Sequence, residues 1–155
     1  MLVLAETLWE RMVAHCLACL PMEGCGLIAG LEPAGPTGGP ADAEAGSQSL
    51  AQALEVYPAT NAAASARLYT VEPRDLLRAD RAAEAAGMQL IGVWHSHTHT
   101  PAYPSPTDVR QAPDPSWHYV LVSLSEDEPA VRSYRIRDGL VQEEEVRLAP
   151  EHWGS

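Results

Sequence analysis

The chain has 155 residues, a formal net charge of −11 and a hydrophobic content of 46%. That length suits one domain able to bury about 70% of its unfolded surface. The negative charge argues against unaided binding to nucleic acid or an anionic membrane, since like charges repel across both surfaces. No apolar run approaches the roughly 20 residues a spanning helix needs.

The chain opens Met1-Leu2-Val3-Leu4-Ala5-Glu6 with no basic start. A secretory leader is therefore not expected, and a soluble, cytoplasmic protein is. Residues 5–20 read as a helix because Leu8, Met12, Cys16 and Cys19 recur at three- and four-residue spacing before Pro21 stops the run. Cys16 and Cys19 have a redox or zinc-like spacing. With only Cys25 left there is no second pair, so small side chains on one face of the helix is the better reading. Gly24 to Leu31 reads as a short apolar strand. Glu32 to Ser49 turns to Gly, Pro, Ala and acidic residues, a mobile connector rather than a second domain.

Ser49 to Tyr57 and Arg67 to Val71 are candidate strands on either side of a small-residue turn carrying Asn61. Pro73 suits the first turn of a second helix, whose buried and solvated sides are marked by Leu76, Leu77, Asp80 and Ala83, and Gly87 ends it. Met88 to Trp94 is almost continuously apolar, as expected of a strand covered on both faces. Tyr119 to Leu124 and Val131 to Ile136 are further strands, and Asp138-Gly139 is a hairpin signal leading into a strand from Leu140 to Leu148. Glu143, Glu144 and Glu145 read as a solvated face. The expected fold class is α/β (α+β): one mixed sheet with two main helices and a short third one near Pro106, all within a single domain.

The chemistry is concentrated where the buried strand ends. His95 and His97 are alternate residues of an extended segment and can share a face, with Ser96 pointing away. Ser105-Pro106-Thr107-Asp108 follows. It reads as a helix start, with Ser105 as N-cap, Pro106 at the first helical position and Asp108 in the first turn. Such a start would fix the Asp108 backbone while its carboxylate faces the histidines. Two imidazoles and a carboxylate leave the fourth position of a tetrahedral ion open, which distinguishes a catalytic zinc site from a structural one. Upstream, Glu23 lies at the junction of the first helix and first strand, before a Gly-x-Gly segment that permits close backbone approach. From there it can turn inward and take a proton from metal-activated water.

Glu23 with Gly26, then His95-x-His97-x7-Ser105-x2-Asp108, resembles the JAMM signature of the MPN-plus metallopeptidases. The likeness extends to the Pro-x-Glu-x-Cys-Gly-Leu start, the Asn61 turn, Gly92-Val93-Trp94 and Tyr119-Val120-Leu121-Val122-Ser123. It implies a curved, cytidine-deaminase-like sheet and a zinc isopeptidase of the short bacterial branch. Such enzymes cleave after the Gly-Gly tail of a ubiquitin-like or sulfur-carrier protein, releasing cysteine or another amine. Carried over by position, it implies one Zn2+ held by His95, His97 and Asp108, Glu23 as general acid/base, and Ser105 donating to the oxyanion. The sequence departs from many relatives at Thr98-His99-Thr100, which precedes Pro101. His99 could thereby be a third imidazole ligand in place of Asp108, but the intact spacing to Asp108 favours a loop residue that is solvated or touches substrate.

Other zinc hydrolases fit poorly: there is no His-Glu-x-x-His segment and no Pro-Cys-x-x-Cys deaminase pattern. A thiol nucleophile at Cys25 would sit in an apolar strand. A non-catalytic scaffold of the same fold would lack ligands, whereas the set here is complete. A deconjugase of whole protein conjugates shares the chemistry, and the sequence does not separate it from cysteine release.

Overall fold

The computed structural model describes residues 1–33 and 50–150. From residue 34 onward, the expected mobile connector lies outside the described residues. The elements in order are β1 (Leu2–Ala5), α1 (Glu6–Cys19), β2 (Cys25–Leu31), β3 (Ala51–Ala59), α2 (Pro73–Ala85), β4 (Gln89–His97), α3 (Pro106–Arg110), β5 (His118–Ser123), β6 (Ala130–Arg137), β7 (Leu140–Glu144) and β8 (Val146–Ala149). The expected mixed sheet with two main helices and a short one is what forms.

All eight strands belong to one sheet of order β7-β6-β5-β4-β2-β3-β1-β8. β4 runs parallel to β5, and β1 runs parallel to both β3 and β8, while the remaining pairs are antiparallel. β7 and β8 occupy opposite ends of that order, yet only Glu145 separates them in sequence. The sheet therefore curls until its two edges meet, and the Leu2 amide donates to the Glu145 carbonyl at the seam (2.9 Å). This corrects the single strand expected from Leu140 to Leu148. A uniform run of alternating residues carries no local mark of the point where a chain leaves one edge and joins another.

The two faces bury different sets. On one face α1 lays Leu8, Met12 and Cys16 against Leu2, Leu4, Ile28, Val56, Trp94, Val120 and Val122. Burying a side chain of that size contributes about 1.5–3 kcal/mol, and an isolated helix of this length is marginal without it. On the other face Leu27, Val93, Tyr119, Leu121, Tyr134 and Ile136 pack with Ala79 of α2 and Ala102. The small Ala79 and Ala83 are what α2 buries, while Leu76 and Leu77 stay partly exposed. Ile91 is skipped in the β2–β4 register, which passes from Ile28↔Gly92 to Ala29↔Leu90. Beyond that irregularity the alternation of β4 sends Trp94 to the α1 face and Val93 to the α2 face. His95 and His97 follow Val93.

Three further expectations are corrected. Leu2–Ala5 is a strand, so the first helix begins at Glu6 rather than Ala5. Arg67 to Val71 forms no strand; its sheet-like contact is an isolated bridge between Asn61 and Val71. There the Asn61 side chain takes up backbone groups that a ladder would otherwise use. Glu144 is not on a solvated face. It turns in to accept from Ser133 Oγ (2.8 Å) and from the buried His118. The hairpin signal is borne out: Asp138 and Gly139 both have positive φ (51° and 78°), as a tight primed turn requires.

Gly26 is fixed by packing rather than by conformation. A Cβ there would lie 2.3 Å from the Trp94 ring and 2.6 Å from the Tyr57 carbonyl. The Trp94 ring is fully buried and its Nε1 donates to the Leu27 carbonyl (3.3 Å), so it has nowhere to retreat. Gly26→Ala is expected to lower stability by about 1–3 kcal/mol through overpacking. Urea unfolding with an unchanged midpoint would contradict this.

Candidate metal centre

The centre lies where β4 ends alongside the parallel β5, with His97 opposite Ser123, and carboxyl ends of parallel strands are where α/β sheets commonly bind ligands. His95 and His97 are both buried and present Nε2 atoms 3.3 Å apart. Asp108 Oδ2 is 3.2 Å from the first and 3.1 Å from the second. Three donor atoms thus form a nearly equilateral triangle. Ligands about 2.0–2.1 Å from a tetrahedral zinc ion stand about 3.3 Å apart, so the triangle has the size such an ion needs.

Local chemistry sets each corner. α3 begins as the sequence implies: Ser105 Oγ accepts from the Asp108 amide (3.1 Å), and Asp108 Oδ2 accepts from the Ser105 amide (2.9 Å). The oxygen that closes the capping box is the same one that faces both imidazoles. His97 Nδ1 lies 3.0 Å from the Pro101 carbonyl. A carbonyl only accepts, so Nδ1 carries the hydrogen and the lone pair of the neutral ring is left on Nε2, pointing into the triangle. The intervening loop is pinned by Ser123 Oγ donating to the Thr100 carbonyl (2.7 Å) and Tyr134 Oη donating to that of Ala102. Tyr69 stacks on the His95 ring, centroids 4.0 Å apart and planes at 19°.

Glu23 is the second carboxylate. It is 3% exposed, and its carboxylate lies within 4.8 Å of the two histidine donor atoms. Among the described residues its Oε1 is one of the few buried polar atoms with no hydrogen-bond partner. A buried acceptor left unpaired is costly, and an ion with its attendant solvent supplies what the oxygen lacks. Burial pushes the Glu23 carboxyl up to about 7, with His97 pulling it down and Asp108 pushing it further up. Burial also acts on Asp108, but contacts with His95, His97 and the Ser105 amide outweigh it and hold that carboxyl well below the usual range. Of the two acids, Asp108 is ionised and in contact, whereas Glu23 stands further off with the basicity of a proton carrier.

The sequence-derived residues come together except for His99. That side chain is exposed and lines a separate surface depression with Leu17, Leu20 and Leu124. Ser96, expected only to point away, has a part of its own. Its Oγ accepts from the Gly24 amide (2.8 Å) and its amide donates to the Gly24 carbonyl (2.9 Å), fastening the residue after Glu23 to the histidine strand. Tyr69 was not anticipated either, since no local pattern marks an aromatic ring that meets a distant histidine. Burial pushes the Cys16 and Cys25 thiols up to about 12, which leaves them inert, while Cys19 is only partly buried beside His15.

An apolar groove of about 480 Å³ adjoins the centre through Tyr69 and is lined by Leu27, Val71, Leu76, Val93 and Trp117. Its walls come from β2, β4, the Asn61 loop, α2 and the segment before β5.

Prokaryotic homologs of the JAB domain match residues 5–137. The chain belongs to that family. The CysO-cysteine peptidase of Mycobacterium bovis is 38% identical over 97% of this chain and 93% of its own length. A Thermus thermophilus protein named "Probable TtuB-protein conjugate cleaving protease" is 31% identical over 85% of this chain and 74% of its own. Among solved structures, a Desulfitobacterium hafniense protein superposes with a TM-score of 0.81 at 34% identity, over 97% of this chain and 94% of its own. A JAB1/MPN domain protein of Archaeoglobus fulgidus, at 18% identity and a TM-score of 0.52 over 95% of this chain and 99% of its own, shares the fold.

Asp108 and the Pro101 carbonyl favour a protonated His97, outweighing its burial, and its pKa is raised. Zinc needs the neutral ring. Apparent zinc affinity is therefore expected to rise with pH through the His97 titration and to be lost on acidification. Chelator-competition titrations between about pH 6 and 8 will show it; a flat profile would remove His97 from the ligand set.

Proposed function

We propose that this chain is a zinc-dependent peptidase that hydrolyses the amide bond after the C-terminal Gly-Gly of a sulfur-carrier or ubiquitin-like protein. The observation that carries the reading is Glu23: a buried, unpartnered carboxylate beside two imidazoles and an ionised aspartate. A scaffold has no use for such an oxygen. The family relatives named above are a peptidase and a conjugate-cleaving protease.

In this reading His95, His97 and Asp108 hold one Zn2+, which would polarise the scissile carbonyl and acidify water. Glu23, lifted toward neutrality by burial, takes a proton from the attacking water and returns it to the departing amine. Ser105 Oγ already accepts the Asp108 amide, so its hydroxyl hydrogen remains to be donated to the carbonyl oxygen as charge develops there. The apolar groove takes the residues preceding Gly-Gly in an extended form, and the glycines fit close to the crowded centre. Cysteine is favoured as the leaving group, because the likeness to the cysteine-releasing relative is higher and spans nearly the whole of both chains. Release of a conjugated protein is the second reading, favoured by the Thermus relative.

Glu23→Gln is expected to keep one zinc per chain and lose turnover by about 10²–10⁴-fold, the usual worth of general acid–base assistance. Mass spectrometry of carrier–cysteine and carrier–lysine conjugates, with metal content measured on the same samples, tests both reaction and leaving group. Turnover at the wild-type rate in the glutamine variant would overturn the assignment.

A further inference from the structure

We propose that Asn61 is the positioning residue that holds Glu23 in register with the imidazole pair, tying it to the wall of the substrate groove; this rests on the reading of Glu23 given above. Asn61 Nδ2 donates to the Glu23 carbonyl (3.1 Å) and the Leu68 carbonyl (3.0 Å), with the Ser65 carbonyl at 3.4 Å. Its Oδ1 accepts from the amides of Ala63 and Thr70, both at 3.0 Å. One primary amide has two hydrogens and two lone pairs, so this side chain is used to capacity. Most of these bonds close the segment 61–70 on itself, and the remaining one reaches across to Glu23.

The grip on Glu23 is two-sided. Its amide donates to the Ser65 carbonyl (2.8 Å), within the loop that Asn61 organises. Both backbone polar groups of Glu23 are thus held by residues 61–65, while Gly24 is fastened to Ser96 on the histidine strand. No described hydrogen bond restrains the Glu23 Oε1 atom itself. The placement of the carboxylate therefore starts from how its backbone is held. The same loop carries Tyr69, stacked on His95, and Thr70 and Val71, which line the groove. Asn61 is the side chain whose hydrogen bonds reach both the proton carrier and the loop that forms the groove wall. Of the zinc ligands, His97 is oriented by the Pro101 carbonyl and Asp108 by the Ser105 amide, outside this loop, while His95 is held on β4 with Tyr69 of the loop stacked on its ring.

Asn61→Asp keeps the shape and the two acceptor positions but removes both N–H donors, freeing the Glu23 and Leu68 carbonyls. Displacement of a reacting group by about 1 Å costs on the order of 100-fold, so kcat is expected to fall between about 10- and 100-fold. Zinc content should stay near one per chain, and any rise in KM from the loosened groove wall should be smaller than the fall in kcat, measured well below the melting temperature. Asn61→Ser, which retains one donor, should fall between the two and serves if the aspartate variant fails to fold. Added to Glu23→Gln, the Asn61 change should cause no further loss, because it acts through that carboxylate. A folded Asn61 variant with wild-type kcat, a loss confined to KM or accounted for by missing zinc, or a full additional loss on the Glu23→Gln background would each overturn the proposal. Glu23→Gln alone separates the two ideas. If it is active, the proposed function fails; if it is inactive while Asn61 variants turn over normally, only the positioning role fails.

Discussion

Two imidazole nitrogens and one carboxylate oxygen buried within about 3.3 Å of each other, the spacing of ligands on tetrahedral zinc, are the constraint around which this molecule is arranged. All three atoms favour a positive centre. Protons meet the need only partly, as the opposed shifts of His95, lowered by burial, and His97, raised by its neighbours, show. A divalent ion would meet it fully. The surrounding structure fixes the triangle through the capping box of α3 and the carbonyl of Pro101.

Those devices are economical. The oxygen of Asp108 that closes the capping box of α3 is the one turned toward the histidines, so helix initiation and ligand placement are a single event. His97 is oriented by a carbonyl from the loop that it introduces. Ser96, between the two histidines, faces the other side of the sheet and joins that strand to the Glu23 segment. The strand therefore delivers ligands to one face and an anchor for the proton carrier to the other. Gly26, compressed against Trp94, lets β2 lie close enough for the junction to reach.

The two carboxylates illustrate how environment divides labour between like groups. Both are buried, and desolvation pushes both carboxyls up. Asp108 is in direct contact with two imidazoles and an amide, which keep it ionised; Glu23 has no such contacts and rises toward neutrality. A ligand must stay charged, while a proton carrier must exchange near neutral pH. What each oxygen touches sets the two carboxyls apart in the way those two roles would require.

What the sequence determined is local or metrical. The spacing of His95, His97, Ser105 and Asp108 and the apolar run before them were enough to expect the two imidazoles and the carboxylate to converge. A strand's alternation and a helix's first turn are short-range geometry, and they leave the side chains little choice. The main strands, α1, α2 and the Asp138-Gly139 turn were legible for the same reason. Tertiary structure alone decided the rest. The seam at Glu145 depends on where a curled sheet meets itself, which no neighbouring residue encodes. The inward turn of Glu144 depends on Ser133 and His118 arriving from other strands. The stacking of Tyr69 on His95 and the reach of Asn61 to Glu23 join residues far apart in the chain. Such contacts follow from packing the whole sheet, because a side chain's partners across a fold are set by every element between them.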